Sequence, residues 1–402
     1  MKKIIRLVMC LCCLLMSNSI TTLKAETTYE EAKAAYNHAV WLESQGTIGF
    51  FQNTYGFTDD MINSVLDDTI HDSLHNGVTY RTYTNVGADN DATSLYNLKR
   101  AIGLLRVYQD LRNTNNLSMP NISIYEMLYA EASANYNSYL WKNENSISHP
   151  FTPFAENIAV GYTYNPNNPN DIGAYRGWYY DEKAIYDSGS AGVTGHYLAI
   201  IEPSYTTTGL GIAGGNTYVD VATAQEFSHT MKYGDISVSY EQFVNDYNNY
   251  LASIENAKQA YYEFVTPMYR LYNPYSGEHF YTSNTDERDN LTRLGWTYEG
   301  IGWNAPKYSN YPVYRIYNPV GGEHHYTLSV DEKNNLVRLG WKDEGIGWYS
   351  AEPNSSESIP VKREYNPYAF ANNHNYTISL DEHNWLVGLG WKDEGTGWYA
   401  LK

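Results

Sequence analysis

Between Tyr240 and Phe264 the apolar residues Phe243, Tyr247, Tyr250, Ile254, Ala257, Tyr261 and Phe264 recur at alternating steps of four and three. That period belongs to a helix with one buried seam. It predicts a connecting helix within 236–265 whose seam packs on a neighbouring domain, because a solitary short seam does not hold a dimer. The protein is therefore expected to be a monomer. The same periodicity predicts helices at Tyr29–Glu43, Thr58–Leu74, Leu95–Arg112 and Ser123–Trp141. Thr93 or Ser94 can cap the third, and Ser123 with Glu126 makes a capping box for the fourth. After Asp171, a further helical pattern places Tyr175, Trp178, Glu182 and Ile185 on one face. At GVTGHYLAII the period changes to two, with His196, Leu198 and Ile200 on one side and Tyr197, Ala199 and Ile201 on the other. This predicts a strand, followed by strands at GLGIA and TYVDV between Pro-Ser and Gly-Gly-Asn turns. Helices surrounding strands imply an α+β chain with an α-β-α domain at 93–235, preceded by a helical extension at 26–92.

The C-terminal third repeats itself. From Tyr269 it reads YRLYNPYSGEHFYTSNTDERDNLTRLGWTYEGIGW, from Tyr314 YRIYNPVGGEHHYTLSVDEKNNLVRLGWKDEGIGW, and from Lys362 KREYNPYAFANNHNYTISLDEHNWLVGLGWKDEGTGW. The copies span 267–306, 312–351 and 360–402 of a domain at 266–402. Each predicts a strand, an Asn-Pro turn, a second strand, a helical turn such as Asp286–Leu294 stopped by Gly295, and two short strands around the paired tryptophans. Four short strands in each of three copies predict a closed, β-rich threefold domain, β-trefoil-like, since closure removes exposed edges. An open array of ββα units is the alternative.

The first 25 residues change the setting. A basic start (Lys2, Lys3, Arg6), an apolar run to Met16 and a polar stretch ending at Ala25 have the layout of a secretory signal. Removing it takes the formal charge from −18 to −22 and removes Cys10, Cys12 and Cys13, all the cysteines of the chain. The mature protein is then expected to be extracellular or associated with a cell surface, without disulfides or thiolate metal sites. No later segment has the roughly 20 apolar residues of a membrane span. So acidic a chain repels polyanions, which excludes nucleic acid as a partner. The 41 Tyr and 10 Trp supply flat faces with polar tips, suited to packed β surfaces and to sugar stacking alike.

Two acids stand where apolar residues are expected. Glu182 shares a helix face with Tyr175 and Trp178, and Glu156 in FAENIAVGY lies between Phe154-Ala155 and Ile158-Ala159-Val160. An ionised carboxylate drawn inward loses its hydration and requires a cation, a metal or a histidine. His149 and His196 are available to both, and imidazole with carboxylate can hydrogen-bond or hold a divalent ion such as Zn²⁺. Each residue alone reads as a hydrogen-bonded core group; together the four suggest a pocket.

FAENIAVGY, WYYDEKAIYD and GVTGHYLAIIEPSYTTTGLGIA resemble the CAP superfamily (cysteine-rich secretory proteins, antigen 5 and pathogenesis-related 1 proteins) in its bacterial SCP-like branch. The resemblance implies an α-β-α sandwich whose cleft is lined by His149, Glu156, Glu182 and His196, in some members with Zn²⁺ or another divalent cation and no organic cofactor. It implies no single reaction. The C-terminal copies resemble the DUF5648 repeat of exported proteins, for which a surface glycan is the expected ligand. The reading that follows is a secreted binding protein: a His/Glu cleft for a divalent metal or small ligand, and repeats that engage a cell-wall or host glycan, or a host protein. The alternative is a metal-dependent extracellular hydrolase, acting on protein or cell wall and targeted by the repeats, with His196, Glu182, Glu156 and His149 as its catalytic candidates; a metal-bound water of pKa about 7 would be its nucleophile. No HExxH, GxSxG, phosphate loop or mature cysteine supports it. His71 and His75 are expected on a solvated face. The recurring His279, His324 and His374, and the pairs Trp296/Trp303, Trp341/Trp348 and Trp391/Trp398, are expected to serve packing first and ligand contact second.

Overall fold

The computed structural model describes residues 28–150, 154–215, 217–231, 234–353, 355–356 and 358–402. The segment 1–25, expected to be a secretory signal, lies outside them. The chain divides into two compact units, Ala34–Lys258 and Gln259–Lys402, the latter joined by the first turn of the N-terminal helix.

The first unit begins with α1 (Tyr29–Ser44), α2 (Gly46–Tyr55) and α3 (Asp59–Leu66). Thr58 caps α3 by accepting the Met61 N–H. The predicted continuation to Leu74 does not form. The chain instead folds back, with a bridge between Thr69 and Thr79 and the Ile70 N–H on the Val78 carbonyl. α4 (Leu95–Thr114) is capped by Ser94, which accepts the Asn97 N–H. β1 (Asn121–Ser123) leads into α5 (Ile124–Glu144). Ser123 accepts the Glu126 N–H, but the Glu126 carboxylate takes the Thr207 hydroxyl, so only half of the capping box exists.

β2 (Ala155–Val160) is followed by a π-helical turn at Arg176–Asp181 that runs into α6 (Glu182–Ser188), then α7 (Gly195–Ile201), β3 (Thr207–Ala213), β4 (Ala222–Ser228), β5 (Ser237–Val238) and α8 (Tyr240–Tyr262). The sheet has the order β2-β4-β3-β1-β5, parallel only between β1 and β3. All seven residues of β3 are buried, which requires cover on both faces. α5 lies directly on this strand. A Cβ on Gly209 or Gly211 would fall 2.2 or 2.4 Å from the α5 backbone, so glycine is what permits the approach. On α8, Phe243, Tyr247, Tyr250 and Ile254 are buried in the core of this unit, with the Tyr247 and Tyr250 hydroxyls donating to the Leu95 and Leu42 carbonyls.

Two expectations for the strands fail. GHYLAII is helix α7, not a strand: Tyr197 and Ile200, three apart, are buried, whereas Leu198 is exposed. An apolar run this short fits either period, and the core took Tyr197 and Ile200 from one helical face. TYVDV forms the turn before β4, which starts at Ala222.

The second unit contains β6 (Val265–Tyr272), β7 (His279–Thr282), α9 (Thr285–Arg293) and β8 (Thr297–Pro306); then β9 (Pro312–Asn318), β10 (Glu323–Thr327), α10 (Val330–Arg338) and β11 (Lys342–Tyr349); then β12 (Ser358–Tyr365), β13 (His374–Thr377), α11 (Leu380–Gly388) and β14 (Lys392–Leu401). The strands form antiparallel sheets of order β10-β9-β11 and β13-β12-β14-β8-β6-β7. The two short strands expected after each helix are one long strand, bent by bulges. Gly300, Gly345 and Gly395, at φ +100°, +86° and +85°, take the left-handed conformation of the bend.

Arg270 pairs with Glu382, Arg315 with Glu287 and Arg363 with Glu332. Each arginine thus reaches the helix of the preceding copy, and the first reaches the last, which closes a circuit. Among the described residues no helix is long and apolar enough to cross a membrane.

Candidate functional site

β2 and the π-helical turn define one wall. Asn157 is buried, and its side-chain amide donates to the His196 carbonyl at 3.3 Å, which ties β2 to α7. The Trp178 indole N–H donates to the Ile158 carbonyl at 3.1 Å, which ties the π-helical turn to the same strand. π-Turns insert one residue into a helix and often re-aim side chains at sites; this one delivers Glu182 to α7.

Glu182, with its side chain 10 % exposed, binds twice. Oε1 lies 2.5 Å from His196 Nδ1, and Oε2 accepts the Tyr197 N–H at 3.0 Å. The carboxylate therefore fixes both the imidazole and the first turn of α7. Glu156 repeats the arrangement: Oε2 is 3.2 Å from His149 Nδ1, and Oε1 accepts the Ser133 hydroxyl from α5 at 2.5 Å. Its hydrogen bond raises the His149 pKa above the ordinary value, against the opposing effect of burial. The two imidazoles have centres 6.3 Å apart and planes inclined by 26°, and Trp178 lies against His196 at 6.1 Å and 30°. The four residues singled out in the sequence thus meet as two histidine–carboxylate pairs.

His149, Glu156 and His196 line an open cleft of about 520 Å³ whose other wall includes Val193, Leu198, Glu202 and Tyr205, while Glu182 stands behind His196 and does not line it. Burying one Nδ1 in each carboxylate pair leaves Nε2 as the remaining ring nitrogen of each histidine. Among the described residues, no group of three His, Cys, Asp or Glu side chains is arranged to hold a metal. Were a divalent ion to bind, the two imidazoles would be the groups to carry it, with the glutamates orienting the rings.

Sequence reasoning missed the support around these pairs. Ser133 and Asn157 carry no local signal. Arg112, buried on α4, donates from Nη1 to the Ile200 and Glu202 carbonyls at 3.0 and 2.6 Å and so holds the C-terminal end of α7. His71 is exposed and pairs with Thr69; His75 contacts the Tyr136 hydroxyl and Glu144. Neither reaches the cleft.

In the second unit, His279, His324 and His374 each lie 3.4–3.6 Å from Glu299, Glu344 or Glu394, which also bind Arg270, Arg315 and Arg363. The shared slot therefore packs each imidazole against an arginine–glutamate pair between strands. Trp303, Trp348 and Trp398 are buried, whereas Trp296, Trp341 and Trp391 are half-buried.

A protein-family model described as a domain of unknown function, DUF5648, matches residues 267–401. The C-terminal third of the chain is thus a DUF5648 domain. No curated protein matches the chain.

Proposed function

We propose that this is an exported binding protein of the bacterial SCP-like CAP type, with a cleft that holds a divalent metal ion or small ligand at His149 and His196, each ring oriented by Glu156 or Glu182. The observation that carries the reading is that His149 and His196 line one cleft, each held at Nδ1 by a glutamate from a different segment. Fixing Nδ1 by a carboxylate sets the tautomer and raises the basicity of Nε2, as carboxylates behind ligating histidines do in zinc sites. A bound Zn²⁺ would supply Lewis acidity; the chain's own contribution is to fix the two imidazoles by their carboxylates beside an open cleft.

The C-terminal domain, read as three DUF5648 copies closed in β-trefoil-like fashion, is the attachment module. Its candidate sugar platforms are the half-buried Trp296, Trp341 and Trp391 with the exposed Tyr275 and Tyr368, because an aromatic face stacks on a pyranose without requiring charge.

Metal content after gentle purification, compared with His149→Ala and His196→Ala, tests the cleft. Stoichiometric zinc lost in both variants supports the reading; equal metal content in all three proteins defeats it. Binding of the whole chain to arrayed wall and host glycans, lost on Trp296→Ala, tests the attachment role. Hydrolysis of casein or peptidoglycan that depends on His196 would move the assignment to the hydrolase.

A further inference from the structure

The segment that carries His149 is tied down one residue earlier. After α5 ends at Glu144, residues 146–150 belong to no helix or strand. Ser148 anchors them with both of its polar groups: its N–H donates to Asn137 Oδ1 at 2.9 Å and its hydroxyl to Asp72 Oδ2 at 2.7 Å. Asn137 is wholly buried on α5. Asp72 comes from 76 residues earlier in the chain, on the loop that the Thr69–Thr79 bridge closes. This loop contains IHDSLH, whose two histidines do not reach the cleft.

Asp72 is a junction of four hydrogen bonds. Oδ1 accepts the Leu74 and His75 N–H groups at 2.9 and 2.8 Å, which shapes the loop as an Asx turn, and Oδ2 accepts the Tyr136 hydroxyl at 2.6 Å beside that of Ser148. Burial pushes this carboxyl up, but the hydrogen bonds from His75, Tyr136, Ser148 and Leu74 prevail and hold it below the ordinary carboxylate value. Ser133, Tyr136 and Asn137, three and four apart, share one face of α5. Ser133 holds Glu156, which bonds the His149 ring; Tyr136 and Asn137 hold the Asp72–Ser148 anchor beside the His149 backbone. The ring contact is the longer of the two histidine–carboxylate bonds, 3.2 Å against 2.5 Å at His196, on a side chain 55 % exposed. Such a ring keeps its partner only where the backbone that carries it is fixed.

We propose that Asp72 is a positioning residue of the cleft: through the Ser148 hydroxyl it fixes the backbone beside His149, so that the ring meets Glu156 through Nδ1 and keeps Nε2 for a ligand. The use of His149 rests on the cleft reading given above; the anchor itself does not. The loop of the N-terminal extension is then a working part of the site, although it lines none of the cleft.

The test is NMR of the whole chain labelled with ¹⁵N-histidine, in alkaline solution where the imidazoles are neutral, with His149 assigned by His149→Ala. A ring bonded to Glu156 through its Nδ1–H shows an unprotonated, downfield Nε2. Ser148→Ala leaves the Asp72 turn intact and is expected to move the His149 Nε2 resonance upfield, toward that of a free imidazole, while His196 stays in place. Asp72→Ala should give the same shift, the double variant no more than either single one, and Ser148→Thr, which keeps the hydroxyl, none. An unmoved His149 in Ser148→Ala overturns the proposal, whatever happens to the unfolding midpoint, and so does a shift confined to Asp72→Ala. The readout needs no bound metal, so it decides the anchor even where metal content defeats the cleft reading.

Discussion

At the residue scale, the four cleft groups depend on their partners rather than on their own chemistry. His149 is more than half exposed, yet its pKa is raised, because Glu156 beside it is nearly buried and hydrogen-bonded to the ring. Glu156→Gln removes the charge and keeps the shape, so the His149 titration midpoint, followed by NMR, is expected to fall. An unchanged midpoint would mean that the pair does not form in solution. Glu182→Ala strips the hydrogen bonds to His196 and to the Tyr197 N–H at once. Losing these should lower stability by about 1–3 kcal/mol in denaturant unfolding and release His196 from its orientation. Both glutamates were legible in the sequence because a carboxylate among apolar neighbours is expensive unless paired. Ser133 was not, because a serine in a helix has no need that spacing can reveal.

At the element scale, the fit of α5 against β3 positions the cleft, since α5 carries Ser133 and β4 pairs with both β3 and β2. Gly211→Ala would place a Cβ 2.4 Å from the backbone at Ala130 and Glu131, where no side chain can yield. The cost should reach at least the upper end of the overpacking range, about 3 kcal/mol, seen as a lowered unfolding midpoint. A change below a few tenths would show that the helix and strand are not in this contact. Helices α4, α5 and α8 were readable because their apolar stripes run over many turns. α7 was not, because seven residues satisfy both periods and only the burial of Tyr197 with Ile200 decides between them. The long bent strands β8, β11 and β14 were read as pairs because the glycine of each bulge looks like a turn.

At the scale of the whole molecule, the two units should respond to pH in opposite directions. In the first, burial pushes Glu126 up to about 8 and Glu131 well above the carboxylate range. These groups bind protons more tightly when folded, so the stability they contribute at acid pH is lost as the pH rises through about 8. In the second, burial depresses His279 to about 4 and His374 to about 3. Their contribution is present above the ordinary imidazole value and is lost as the pH falls toward 4. Glu332, held far below the carboxylate range first by its hydrogen bond to His325, acts with the same sign. Calorimetry between pH 5 and 8 should therefore show one transition that falls with rising pH and one that climbs. Parallel trends would contradict these burial assignments.

The sequence by itself determined the periodic helices, the threefold recurrence of strand, turn and helix, and the identity of His149, Glu156, Glu182 and His196 as groups in need of partners. Each is a local or periodic property: a stripe, a repeated burial problem, or a charge in the wrong company. Only the tertiary structure decided which carboxylate meets which histidine, that GHYLAII winds into a helix, and that three tryptophans distant in the chain meet in one triangle of rings. Those outcomes depend on contacts between segments far apart in sequence, where packing and hydrogen-bond satisfaction override local preference.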